Sequence, residues 1–240
     1  MRKIAVVQAR TGSSRLPAKV LIKIKGRTIL EHLLTRLTYS SRIDEIVVAT
    51  TDKNQDRDII KIAEKLSMGT FAGSEEDVLS RFLGAAQQFK SDLIIRISGD
   101  CPLIDPFVVD DIVNLHLKKK GDYTSNVIRR TFPRGIAVEV FPIELLDQLN
   151  RLTRDSRHRE HVTSFVREHP SCFKVNSYEI QSGIYDPDWR WVLDTKEDLQ
   201  FIRAVYERLY RDGKVFRSED VLALIRAHPE IMKLCQAKNP

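Results

Sequence analysis

Ile4-Ala-Val-Val-Gln-Ala-Arg-Thr-Gly-Ser-Ser-Arg-Leu-Pro-Ala-Lys19 begins as a short β-branched run and ends as a loop of glycine, serine and cations. The run 4–9 predicts a buried strand, being too short for a helix and bounded by polar residues. The loop leaves that strand's carboxyl end, where open α/β sheets bind ligands. Working outward, 45–50 and 93–97 read as two more strands of the same kind. Between them Ile29, Leu33, Leu34 and Leu37, then Ile59, Ile60, Ala63 and Leu66, then Val78, Phe82, Ala85 and Ala86 recur at helical spacing. This alternation predicts an α/β fold with a mostly parallel central sheet flanked by helices. Further on, the pattern predicts helices over 107–119 and 159–168, strands at 137–141 and 173–178, and C-terminal helices from 196, broken at Asp212-Gly213. One domain is expected, with its regular part over about 1–120, a smaller lobe over about 121–195 and helices over 196–240.

Composition limits the function classes. A chain of 240 residues, 42% hydrophobic and 30% charged, suits a soluble globular protein and excludes disorder as its main state. Ten glycines and nine prolines exclude a collagen-like fibre, and no apolar run approaches the roughly 20 residues of a membrane-spanning helix. Met1-Arg2-Lys3 leads straight into the first strand without a signal-peptide core, and Cys101, Cys172 and Cys235 form neither a disulfide framework nor paired zinc spacing. A cytoplasmic location is expected. The net charge of +6 favours anionic ligands. Basic clusters stand at 118–120, 129–130 and 151–159; the first has only Tyr123 near it and the second only Phe132, so a solvated helix end and a loop are expected there in place of the stacking aromatics of a nucleic-acid groove.

The loop suits polyphosphate. Gly12 permits close backbone approach, Ser13 and Ser14 offer hydroxyls, and Arg10, Arg15 and Lys19 can offset several negative charges. It is neither a Walker loop nor Gly-x-Gly-x-x-Gly; the competing reading is an exposed turn redirected by Pro17. Asp100 follows the strand 93–97 directly, between Gly99 and Cys101-Pro102, so its carboxylate projects from the ligand-binding end of the sheet. Asp194 follows another short apolar run. Two such carboxylates suit Mg²⁺, which takes one or two carboxylates together with phosphate oxygens and water. A helix N-cap is the alternative for Asp194, and an ordinary turn for Asp100.

The loop, with Gly26-Arg-Thr-Ile-Leu-Glu-His32, resembles the opening of the sugar-acid cytidylyltransferases, the synthetases of CMP-Kdo and CMP-sialic acid, and more closely their SpsF branch. Val47-Val-Ala-Thr-Thr-Asp52, Gly73-Ser-Glu-Glu-Asp-Val-Leu-Ser-Arg81, Arg96-Ile-Ser-Gly-Asp-Cys-Pro-Leu-Ile-Asp105, Phe132-Pro-Arg-Gly-Ile-Ala-Val-Glu-Val-Phe141 and Arg159-Glu-His-Val-Thr163 follow in family order. The resemblance implies a nucleotide-diphosphosugar-transferase type fold and CMP transfer from CTP to a sugar, with pyrophosphate released. It implies Mg²⁺ on Asp100 and Asp194, and catalytic roles for Arg10, Arg15, Lys19 and Asp100. Nucleotide contacts would fall at Ala9, Arg10, Gly12, Ser13, Thr50, Asp52, Ser74, Ser80 and Arg81. Acceptor contacts would fall at Tyr123, Asn126, Arg130, Arg134, Glu139, Arg159 and His161. Ser98 departs from the Kdo enzymes, which carry Gln there. Ser74 also has a plain reading as a helix cap, with Asp77 reaching back. Two rival functions remain open at this point: a glycosyltransferase, whose Asp-x-Asp spelling occurs at Asp186-Pro-Asp188, and a basic nucleic-acid or nucleotide-binding module. The helices after 196 offer a surface for a homodimer.

Overall fold

The computed structural model describes residues 1–236. In chain order, β1 (Lys3–Gln8) is followed by the short hairpin β2 (Lys23–Ile24) and β3 (Arg27–Thr28), α1 (Ile29–Leu37), β4 (Glu45–Thr51), α2 (Arg57–Lys65) and β5 (Gly69–Gly73). Next come α3 (Val78–Gln88), β6 (Leu93–Ser98), α4 (Pro106–Lys119), β7 (Tyr123–Ser125), β8 (Glu139–Pro142) and α5 (Ile143–Leu152). The last part holds α6 (Ser156–Glu160), α7 (Ser164–Glu168), β9 (Val175–Ser177), α8 (Lys196–Leu209), α9 (Ser218–Ala227) and α10 (Pro229–Cys235). Seven strands form one sheet in the order β5-β4-β1-β6-β8-β7-β9. β5, β4, β1 and β6 are parallel, and β8 runs antiparallel to both β6 and β7.

The continuous apolar strands follow from burial on both faces. Along β1, Ala5 and Val7 pack into a core with α1, α2, α4 and the C-terminal helices, while Ile4 and Val6 pack into a second core with α3, α5 and α7. Parallel pairing sends the carboxyl ends of β1, β4 and β6 to one edge. There Gly99 N donates to Gln8 O at 2.8 Å, and a Cβ at Gly99 would stand 2.8 Å from that oxygen and 2.9 Å from Ala9 Cβ. Glycine at this position lets the two strand ends touch, so that the loop and Asp100 share one edge.

The three strands and the helices up to 119 agree with the expectation. The helix expected over 159–168 is instead α6 and α7, separated at Val162, whose φ is +33°. The C-terminal region breaks twice, after Leu209 and after Ala227, the second time ahead of Pro229. Lys118, Lys119 and Lys120 are exposed at the end of α4, where cations complement the helix dipole.

Gly99→Ala should lower stability by about 1–3 kcal/mol, since backbone must move to admit the methyl. At this chain length that is a fall in melting temperature of roughly 2–12 °C, measured by calorimetry. His32 and His116 lie buried, bonded to Ile24 O and Thr124 Oγ1 at 2.8 and 2.9 Å. Burial is the main cause that holds both below the ordinary 6.5. With folded values depressed, their contribution is complete above about pH 6.5 and is lost as pH falls toward the folded values. Urea titrations at about pH 7.5 and 5.5 should show lower stability in acid, and a smaller difference in His32→Asn.

Candidate active site

A cleft of about 570 Å³ opens over the carboxyl ends of β1 and β6. Of the residues expected to serve function, Ala9, Arg10, Gly12, Ser13, Arg15, Lys19, Arg81, Asp100, His161 and Asp194 line it. Lys19 joins its acidic parts. Nζ donates to Asp100 Oδ2 at 2.6 Å and to Asp194 Oδ1 at 2.7 Å. Burial would lower the Lys19 pKa, but the charges and hydrogen bonds of both aspartates outweigh it and raise the value. Asp194 responds in the opposite sense: burial would raise its pKa, yet Lys19, Arg15 and Arg190 hold it below the carboxylate range.

Local structure places each group. The loop bends through Ala18, which has a positive φ of +53°, and closes with Ala18 N on Thr11 O at 3.0 Å. Its base is fastened by Asp56, fully buried, which accepts from Thr11 N and Oγ1 at 2.8 and 2.6 Å and also from the Thr51 hydroxyl. Asp100 and Asp194 are tied directly, because Leu193 N donates to Asp100 O at 2.8 Å. Asp194 itself is not the helix cap. Thr195 caps α8 and forms a capping box with Asp198, leaving the Asp194 carboxylate for Lys19 and Arg15. Asp198 accepts from Asp194 N and Thr195 N at 2.9 Å and pairs with Arg190 at 2.8 Å, so it orients the segment.

Every loop cation faces a carboxylate. Arg10 lies 3.7 Å from both Glu75 and Glu160, and Arg15 lies 3.1 Å from Asp194. Arg81 differs. It is 3% exposed, one nitrogen donates to Ser74 O at 2.5 Å, and its Nε has no partner among the described residues. Burial, then the nearby Arg10 charge, push its pKa down to about 10. Arg81 lines the cleft wall, but this Nε is closed off from the cleft.

Other expected site residues stand elsewhere. Thr50 is buried, Asp52 and Ser74 are exposed and outside the cleft lining, and Ser80 Oγ is spent on Asp77 O at 2.9 Å. Asp77, not Ser74, caps α3. Tyr123 and Asn126 cannot reach a sugar: Tyr123 is fully buried, and both amide atoms of Asn126 bond backbone, Ile136 O and Val138 N. Glu139 is likewise buried and pairs with Arg96. Arg159 bonds Asn150 and Asp77 and ties α6 to α3 instead of facing the cleft. Arg130 and Arg134 sit outside the cleft lining, where Arg134 is 3.9 Å from Asp188. His161 is exposed at the cleft, with Glu160 beside it. Gln8, Arg96 and Glu160 also line the cleft and lay outside the sequence expectations. Asp186-Pro-Asp188 forms a turn away from the cleft, and Cys101 is buried with its thiol pKa pushed up, first by burial and then by Asp100.

A mostly parallel sheet that gathers a cationic loop and Asp100 at its strand ends, with Asp194 beside them, has the architecture of a nucleotidyltransferase. A sequence profile describing cytidylyltransferases matches residues 4–221, and the chain belongs to that family, in its SpsF-like branch of sugar-acid enzymes. The spore coat polysaccharide biosynthesis protein SpsF of Bacillus subtilis is 34% identical over 230 residues, 94% of each chain. An uncharacterized protein of Methanocaldococcus jannaschii is 40% identical over 202 residues, 83% of this chain and 81% of its own. The solved structure of a cytidylyltransferase from Leptospira borgpetersenii is 33% identical and superposes with a TM-score of 0.92, over 100% of this chain and 99% of that one.

Lys19→Met should bind free Mn²⁺ roughly tenfold more tightly than the parent without any nucleotide, since a positive charge leaves the two carboxylates. Electron paramagnetic resonance titration reads this directly. An unchanged affinity would mean that Lys19 does not compete for their oxygens.

Proposed function

We propose that this enzyme transfers CMP from CTP to a sugar acid or modified sugar of surface polysaccharide biosynthesis, in the cytoplasm, with Mg²⁺ and with release of pyrophosphate. The carrying observation is the convergence of Arg10, Arg15 and Lys19 with Asp100 and Asp194 in one cleft. A polyphosphate would lie along Gly12 to Lys19 and exchange carboxylate partners for phosphate oxygens on those cations. Residues up to about 120 would hold the nucleotide, and the lobe over 121–195 the acceptor.

The donor set fits a hard divalent ion. Two carboxylates already share one cation, the Lys19 ammonium, and no cluster of three or more His, Cys, Asp or Glu suited to a metal occurs among the described residues. Asp100 and Asp194 would therefore supply part of a coordination shell, with phosphate oxygens and water supplying the rest. When bound, Mg²⁺ neutralises phosphate charge and polarises the P–O bonds. This chain's residues do the remainder. The acceptor hydroxyl oxygen forms a bond to the α-phosphorus in line as the bond to the bridging oxygen breaks; its proton passes to water and pyrophosphate departs. Arg10, Arg15 and Lys19 stabilise charge on the transferring and leaving phosphates. Ala9, Gly12 and Ser13 bring backbone close to the nucleotide, and Arg81 adds positive charge to the cleft wall. Among the acceptor residues, His161 and Glu160 meet the sugar at the rim, and Arg130 and Arg134 supply a positive field behind it.

Asp100→Ala should keep its melting temperature within a few degrees yet lose at least about a hundredfold in pyrophosphate release from CTP, scored over a panel of sugar acids and amino sugars. A fully active variant would remove Asp100 from the reaction. Release of CMP or UDP from a nucleotide sugar by the parent enzyme would instead favour a glycosyltransferase.

A further inference from the structure

We infer that Gln8 reads the nucleoside part of the nucleotide, through a side-chain amide that a buried ion-pair relay locks with its N–H₂ donors turned toward the cleft. The inference rests on the cytidylyltransferase reading of the cleft and adds a specificity residue to it.

Gln8 ends β1 and stands in register opposite Ser98, which ends β6, and both line the cleft. Alternation along the strands puts Gln8 on the same sheet face as Arg96. Arg96 holds the amide oxygen with two donors, Nε at 3.2 Å and Nη2 at 3.0 Å. Arg96 is itself held. Its Nη1 donates to Glu139, and its guanidinium lies 5.6 Å over the Phe82 ring. Glu139 accepts in addition from Tyr123 Oη at 2.9 Å and from the Thr163 hydroxyl. The relay from Tyr123 and Thr163 through Glu139 and Arg96 to Gln8 leaves one orientation for the amide. Turning it over would set N–H₂ against the guanidinium, donor against donor.

The amide nitrogen therefore faces away from Arg96, and it has no partner among the described residues. A half-buried donor fixed in this way suits an acceptor atom on a ligand and repels a donor. The edge of cytosine carries two adjacent acceptors, the O2 carbonyl and unprotonated N3; uracil carries a donor at N3. The nucleoside is favoured over the acceptor sugar as occupant beside Gln8, because Val78 and Arg81 of α3 line this cleft, Tyr123, Asn126, Arg130 and Arg134 do not, and the two proposed sugar contacts that do, Glu160 and His161, are assigned to its rim.

Isothermal calorimetry with Mg²⁺-CTP and Mg²⁺-UTP, without acceptor, tests the inference on the full chain. Gln8→Glu keeps the shape and the contact with Arg96 but offers no donor, and should weaken CTP by about tenfold. Gln8→Leu should lose a similar factor, with thermal melting as the check on folding. An equal loss for UTP would place the contact at O2, and a narrowed preference for CTP would place it at N3; both support the inference. Moving the amide across the register, in Gln8→Ser with Ser98→Gln, should recover part of the loss. Glu139→Gln, which never touches ligand, should weaken CTP by loosening Arg96. CTP affinities within twofold of the parent in both Gln8 variants would overturn the inference alone. A parent enzyme that binds no CTP would overturn the cytidylyl reading and this inference with it.

Discussion

Three segments far apart in sequence meet at one ammonium. Lys19 lies 81 positions from Asp100 and 175 from Asp194, and its Nζ bonds both. The three side chains are 12%, 20% and 17% exposed, so each has lost much of its hydration. In such settings desolvation consumes most of the Coulomb gain, and the pairing is close to neutral for stability. What it supplies is placement. Two carboxylates that would repel each other are held side by side, and the cation between them belongs to the glycine-serine loop that lines the cleft. The backbone supports the same geometry, because Gly99 brings the ends of β1 and β6 into contact and Leu193 N fixes Asp194 beside Asp100.

The wider cleft follows the same electrostatic rule. Arg10 sits between Glu75 and Glu160, and Arg15 against Asp194. None of these cations requires a ligand for neutrality, yet the longer contacts at 3.7 Å are ones a phosphate oxygen can replace at little cost. Arg81 is the exception, desolvated and without a carboxylate partner. The cleft thus divides by charge balance into a loop side whose partners exchange and a wall whose donors are fixed in advance.

Much of this was legible in the sequence, for identifiable reasons. Strands buried on both faces spell continuous β-branched runs, and amphipathic helices spell a period of 3.6, so the parallel half of the sheet could be read directly. β5 escaped notice because Gly69-Thr-Phe-Ala-Gly73 carries glycine at both ends and only one large apolar residue. The split of 159–168 turns on a single left-handed residue, Val162, a conformation no β-branched side chain advertises. The loop and Asp100 were legible as polar residues at strand ends, and Asp194 as an acid after a short apolar run that forms no strand. Asp56 and Asp198 were not, because each serves by accepting from neighbours' backbone or hydroxyl groups, and nothing in a local spelling separates such an anchor from a surface acid. Only the Thr195 to Asp198 spacing of a capping box gave a hint.

The residues expected to touch the acceptor reveal what family-ordered blocks encode. Tyr123, Asn126 and Glu139 fall in the right blocks but are buried, and their polar atoms are consumed inside the protein. A buried carboxylate survives only with compensation, and Glu139 has it: burial pushes its pKa up, while Arg96 and the Thr163 and Tyr123 hydroxyls more than reverse the shift. Replacing Arg96 would strand this charge in the core, and removing either hydroxyl would leave one of its oxygens short of a donor. The blocks expected around the site therefore hold two populations, groups that line the cleft and groups whose polar atoms are spent inside the protein. Lys19, Asp100, Asp194 and His161 belong to the first, and Tyr123, Asn126, Glu139 and Arg159 to the second.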